Sequence, residues 1–448
     1  MPSIVFDSEL FGDMFASTPM RALFTDRALV QRYLDIEAAL ARVQGRLGLI
    51  PTHAADAIAA VADVGRVDWG RLAERTRVVG YPILPLVEQM SEWAEGGLGQ
   101  YCHWGATTQD IMDTADALQI RDGLALVAAD LDAIAAALAA LAEAHAGTPM
   151  AGRTHLQHAL PITFGFKCAC WLAAIDRHRA RLGELRPRAL VGQFAGAAGT
   201  LASLGGDGLQ VQAALMEELG LTRPAMTWHT GRDGFAEVTG FLALVSGTLG
   251  KIGLDVMLMM QSEIGEVFEP FASGRGASST MPQKRNPIAA ELMLAAAKIV
   301  RAQHGAMLDA MVQDHERATG PWHVEWQALP TAFVAASGGL QAAREALEGL
   351  EVRPDAMRRN LDASGGLIAA EAVMMALAPA LGRQRAHDLV YDCCRASLES
   401  GRAFIDVLAE DEAVSGALDR AALERLVDPA HYVGAAPEMV ARYLAERS

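Results

Sequence analysis

Aromatic side chains make up only 6% of this 448-residue chain, cysteine occurs five times, and no segment is dense in lysine or arginine. Each shortage excludes something. With few aromatics against an apolar content of 51%, alanine and leucine supply most of the apolar mass, which favours closely packed helices over aromatic-rich sandwiches. Cys102, Cys168, Cys170, Cys393 and Cys394 are odd in number and scattered, matching neither a disulfide scaffold nor a tetrahedral zinc spacing. Basic residues number 38 against 54 acidic ones, a formal charge of −16, so the cationic footprint of a nucleic-acid binder is missing. Residues 1–10 lack the positive start and apolar run of a signal peptide. The alanine-rich stretch 124–144 is interrupted by Asp130, Asp132 and Glu143, too often for a membrane span. The expectation is a soluble, cytoplasmic protein without membrane or nucleic-acid partners.

What is present is helical periodicity. Leu29, Tyr33, Leu34, Ile36, Leu40, Val43 and Leu47 form a broad apolar stripe before Gly48 and Pro51 punctuate a turn. Shorter helical patterns follow at 54–61, 69–77 and 86–95. Much longer ones are predicted at about 109–146, 163–190, 234–267, 286–315 and 323–349, well beyond the usual length of about 11–12 residues. They are alanine-rich with few charges, so more than one face of each must be covered. A single chain can cover some of those faces in a bundle, and the surplus implies partner chains. No run alternates cleanly enough for a sheet-based core. The fold class expected is all-α, in three domains: an N-terminal helical domain over 1–107, a central long-helix bundle over 108–352, and a small helical domain over 353–448.

Polar, glycine-bearing segments at the ends of rigid helices are where chemistry can sit. Three qualify. In His103-Trp104-Gly105-Ala106-Thr107-Thr108-Gln109-Asp110, the paired hydroxyls either cap the following helix or, with free amides, hold a carboxylate. In Gly152-Arg153-Thr154-His155-Leu156-Gln157-His158, the two histidines are three apart and could share a helix face. No glutamate completes a metal-binding motif, so acid–base or carboxylate-binding work competes with simple packing or solvation. The third segment, 271–287, places Ser278, Ser279 and Thr280 beside glycines and close to Lys284 and Arg285. Amide donors and a nearby ammonium could stabilise a serine alkoxide, or the loop could simply hold an anionic ligand.

The run Ser278-Ser279-Thr280-Met281-Pro282-Gln283-Lys284-Arg285-Asn286-Pro287 strongly resembles the signature loop of the fumarase/aspartase superfamily. Thr107–Asp110 and Gly152–His158 are similar to its two other active-site regions, in the same order and spacing, so the resemblance covers nearly the whole chain. Softer likenesses point to its 3-carboxy-cis,cis-muconate cycloisomerase branch: Ser17–Phe24, the Ala-Ala-Leu-Ala-Arg run at 38–42, Gln313–Arg317, Glu325-Trp326, Gly382-Arg383 and Ala386-His387. Adenylosuccinate lyases and other fumarate-releasing lyases share the plan. Cycloisomerases can carry a bulky aromatic residue where this chain keeps His155, as fumarate-releasing members do.

The resemblance implies a homotetramer built on the long helices, with each active site shared among three subunits, a polycarboxylate substrate, and no cofactor or metal. It also implies roles. Ser278 transfers the Cα proton, Lys284 stabilises the carbanion, and Glu291 pairs with His155 of another subunit. Thr107, Thr108, Gln109, Arg153, Thr154, Ser279 and Asn286 fall at positions expected to bind substrate, with Arg21 and Arg317 as candidates for further carboxylates. A structural relative without activity would be marked by loss of the loop residues, and Ser278, Lys284 and Asn286 are all retained.

Overall fold

In a computed structural model of the chain, residues 4–270, 276 and 280–447 are described, so Ser278 and Ser279 lie outside the described residues. The fold is mostly helical. Helix α1 (Asp26–Arg46) is started by Thr25, whose side chain accepts from the Ala28 amide. Five long helices follow: α2 (Thr108–Ala144), α3 (Phe164–Ala189), α4 (Asp233–Met259), α5 (Ile288–Ala310) and α6 (Gly320–Glu348). Shorter ones close the chain, among them α7 (Pro354–Asp362), α8 (Ala370–Leu381) and α9 (Arg383–Ser400).

Three expectations need correction. The pattern expected to be helical over 234–267 ends at Met259, where the chain turns through Gln261–Gly265 with Gly265 at φ +59°. The helix after the Ser278 loop spans Ile288–Ala310 rather than 286–315, because Pro287 disfavours helical backbone at Asn286 and the Gln313 side chain donates to the carbonyl of Ala310, where the helix ends. The chain is also not wholly α: strands β1 (Pro149–Thr154) and β2 (Gln157–Thr163) form an antiparallel hairpin, and β3 (Val267–Phe268) pairs with β4 (Glu351–Val352). The segment carrying His155 and His158 is therefore a hairpin, and the two imidazoles share no helix face.

The chain divides into two compact units. The first takes residues 1–131, 177–250 and 292–342. Its core packs the apolar stripe of α1, including Tyr33, Leu34, Ile36, Leu40 and Val43, with Ile111, Ala115 and Leu118 of α2 and with Phe194, Val211 and Leu215. The second takes residues 132–176, 251–291 and 343–448. One of its cores joins Val373 and Leu377 of α8 to Ala386 and Val390 of α9 and to Phe404, Leu408 and Leu423.

Candidate active site

In the first unit the site begins where α2 begins. The start of this helix is closed by Asp110, whose Oδ2 accepts from the Thr107 amide at 3.1 Å. Fully buried, Asp110 also accepts from the amides of Ala195 and Gly196 and lies 2.8 Å from His229 Nε2. The Thr107 hydroxyl accepts from Arg317 Nη1 at 3.0 Å. Arg317 Nη2 donates to the Ala197 carbonyl, which fixes the guanidinium beside the threonine. The structure thus brings together Thr107 and Arg317, two residues 210 positions apart. Thr108 opens the helix itself and is half-buried.

Gln109 is buried, its side-chain amide donating to Asp113 Oδ2 and the His229 carbonyl, so it braces this unit from within. Arg21 is paired with Asp13 at 2.7 Å.

A polar network that the motifs did not reveal underlies this end of α2. Arg232, fully buried, makes two bonds to Asp113, at 2.7 and 3.1 Å, and a forked contact with Glu325. Burial opposes its charge, but the two carboxylates outweigh that and hold the guanidinium protonated. Closer to the surface, His103 Nδ1 sits 2.6 Å from Glu37 Oε1, and Gln44 donates to the Trp104 carbonyl. Burial pulls the His103 imidazole down, yet the Glu37 charge and hydrogen bond more than compensate and raise its pKa. Heptad-like spacing hides such partners, because Glu37 and Gln44 occupy core positions of an otherwise apolar stripe.

In the second unit, His155 occupies the tip of the β1–β2 hairpin. Thr154 pairs with Gln157, leaving a two-residue turn of His155 (φ +52°) and Leu156 (φ +63°). Such turns favour Asn-Gly, and each non-glycine residue held left-handed costs roughly 1–2 kcal/mol. Both side chains are exposed, as is Thr154. Neither side chain gains packing within the chain that would offset this cost. Below the turn, Gly152 sits at a register irregularity between Ala151 and Arg153, where a Cβ would come within 2.7 Å of the Leu160 carbonyl oxygen. Arg153 does not face open solvent: its two terminal nitrogens engage the fully buried Glu266 at 2.9 and 2.7 Å.

The Ser278 loop is pinned near its ends. Gly276 (φ +65°) faces Asn286 so closely that a Cβ would meet the Asn286 oxygen at 2.7 Å. The Gly276 carbonyl accepts from both the amide and the side-chain nitrogen of Asn286, at 3.1 and 3.0 Å. Lys284 is exposed, in a turn closed by its amide on the Met281 carbonyl. Glu269 caps α5, its two oxygens accepting from Ala289 and Ala290 amides at 3.1 and 2.8 Å. Glu291 is exposed in the first turn of α5.

Comparison with known proteins identifies the family. Residues 14–301 match the family described as Lyase, and residues 366–443 match the adenylosuccinate lyase C-terminus. The chain is 49% identical to a 3-carboxy-cis,cis-muconate cycloisomerase of Pseudomonas aeruginosa, covering 98% of this chain and 96% of that protein. It is 48% identical to trans-aconitate decarboxylase 1 of Mycosarcoma maydis, covering 100% of this chain and 91% of that protein. Its fold superposes on the crystal structure of a 3-carboxy-cis,cis-muconate lactonizing enzyme from Pseudomonas putida with a TM-score of 0.94 and 47% identity, over 98% of this chain and 99% of that one. With a family model matching well over half of its length and full-length relatives near 50% identity, the chain belongs to the lyase family of the fumarase/aspartase superfamily.

Proposed function

We propose that this enzyme is a cofactor-independent cycloisomerase interconverting 3-carboxy-cis,cis-muconate and a carboxymuconolactone, a step of aromatic catabolism in the cytoplasm. The observation that carries the reading is full-length likeness to cycloisomerases in both sequence and structure, at 49% and 47% identity. In the lactonising direction a muconate carboxylate oxygen adds to an alkene carbon, and the Ser278 hydroxyl delivers a proton to the adjacent carbon. In reverse, the Ser278 alkoxide removes that proton as the C–O bond breaks. Charge develops on a carboxylate-stabilised carbanion, where Lys284 and Asn286 meet it. Thr107 and Thr108, with Arg317 behind them, orient a substrate carboxylate, and Thr154 and Ser279 complete the polar lining. His155, tuned by Glu291 of another subunit, serves proton transfer.

The reading includes a homotetramer with shared sites and the three-domain division at 107/108 and 352/353. Its support is the apolar surface of α2 and α4. Contrary to the expectation that Asp130, Asp132 and Glu143 interrupt α2 too often, both helices are long and apolar enough by composition to cross a membrane, and only 33% and 50% of their most apolar windows are buried within one chain. Packing against further copies would cover the remainder.

Ultraviolet absorbance of purified enzyme with 3-carboxy-cis,cis-muconate tests the proposal. Loss of the diene band, abolished by Ser278→Ala, is the expected result, and a flat trace would sink it. A second reading, a fumarate-releasing lyase acting on adenylosuccinate or another substituted succinate, draws on the match of 366–443 and on the retained His155. Parallel cuvettes of adenylosuccinate, argininosuccinate and trans-aconitate separate these outcomes.

A further inference from the structure

We propose that Glu266 and Arg153 are positioning residues that hold the His155 turn in place and thereby set the rate of the chemical step. The proposal rests on the reading of His155 as a proton-transfer group. Arg153 lies two residues before His155 and opposite His158 in the hairpin. The irregularity at Gly152 separates the two distal residue pairs, Arg153 with His158 and Thr154 with Gln157, from the regular pairing nearer the base. A hairpin end with two left-handed non-glycine residues at its tip does not hold its shape by strand pairing alone. The forked contact from Arg153 to Glu266 ties this distal end to the body of the unit.

Glu266 is itself immobilised. Its carboxylate is fully buried and receives a third hydrogen bond from Asn360 Nδ2 at 3.0 Å, while Asn360 also donates to the Ile264 carbonyl at 2.8 Å. Its amide donates to the Met259 carbonyl and its carbonyl accepts from the Arg353 amide, both at 2.9 Å. The Glu266 carboxylate therefore joins the hairpin to Asn360 near the end of α7, while its backbone ties the end of α4 and the residue before α7. It stands three residues before Glu269, the cap of α5, so the same short stretch aligns the hairpin and the helix bearing Glu291. A carboxylate with no exposed surface cannot touch substrate, and an arginine with both terminal nitrogens engaged is poorly placed to bind one. The base of the hairpin packs through Ala151 against Leu361 and Ile368, whereas a cleft of about 460 Å³ lined by Arg153, His158, Lys167 and Asn360 opens beside its distal end, where the clamp sits.

The test uses full-length Glu266→Gln and Arg153→Lys, which retain volume or charge but lose the forked ion pair. Steady-state kinetics on 3-carboxy-cis,cis-muconate should show kcat down about 100-fold with KM little changed, as expected when a reacting group is misplaced by about 1 Å. Hydrogen-exchange mass spectrometry should show faster exchange confined to the peptide 149–163. Wild-type kcat and exchange in both variants would overturn the proposal. So would a change in KM alone, which would make Arg153 a substrate ligand, or faster exchange throughout the protein, which would reduce the pair to a general structural role. His155→Ala is the control for the underlying reading: if it turns over at the wild-type rate, or if the wild-type enzyme leaves the muconate untouched, that reading fails, and the exchange pattern alone then decides whether the clamp exists.

Discussion

Arg285 grips Glu351 through hydrogen bonds of 3.2 and 3.0 Å and donates at 2.7 Å to the carbonyl of Glu269, closing the two ends of the serine loop on each other. Its guanidinium also lies 4.9 Å from the ring centre of Phe268. Arg285→Gln should lower kcat about tenfold through loss of loop registration. The hydrogen bond from Arg285, helped by Arg353, holds the Glu351 carboxyl below its ordinary value of 4.5. A depressed carboxylate stabilises the fold above its unfolded pKa and loses that contribution as pH falls through the lower folded value. Calorimetry from pH 6 to pH 3 should therefore show a smaller acid-induced drop in Tm for Arg285→Gln than for the wild type.

The turn at His155-Leu156 predicts an unusual gain. Leu156 is 75% exposed and held at φ +63°, so Leu156→Gly removes a steric cost without losing a packed side chain. Net of the extra freedom of glycine in the unfolded chain, stability should rise by up to ~1 kcal/mol in urea denaturation. Gly152→Ala should do the reverse, because the oxygen a Cβ would strike at 2.7 Å belongs to the backbone and cannot rotate away.

His103 gives a pH dependence of opposite sign from Glu351. Its pKa is raised above the ordinary 6.5 by Glu37 despite burial. The stabilisation is complete below about 6.5 and is lost as pH rises through the folded value. The Tm of the wild type should decline over that interval, and His103→Gln should flatten this part of the curve.

Arg232→Met strands Asp113 and Glu325 in a fully buried site. The expected loss is about 3–5 kcal/mol, seen as a lowered denaturation midpoint with an unchanged slope.

Most of this architecture was legible in the sequence, for a definable reason. Long alanine-rich repeats announce helices because their period is local, and the boundaries of α2, α3 and α6 fall within a few residues of those expected. The hairpin was not legible. Its strands are short, its turn lacks the Asn-Gly pair that usually marks one, and Gly152 interrupts the alternation. The motif carrying Thr107 could be read from adjacent residues, but its partner Arg317 comes from far along the chain. Buried partners such as Glu37, Arg232 and Glu266 left no local trace, since pairing across 66, 93 or 113 positions is a property of the packed chain.

The cap on α5 changes the electrostatics of the loop that precedes it. A helix start ordinarily offers about half a positive charge to an incoming anion. Here the Glu269 carboxylate already occupies two of the amides that would present it. Under the proposed reaction, a substrate carboxylate arriving beside Asn286 would meet a terminus whose attraction has been neutralised from within, leaving the field to the ammonium of Lys284. Removing that single charge should therefore be more damaging than the abundance of nearby amide donors would suggest.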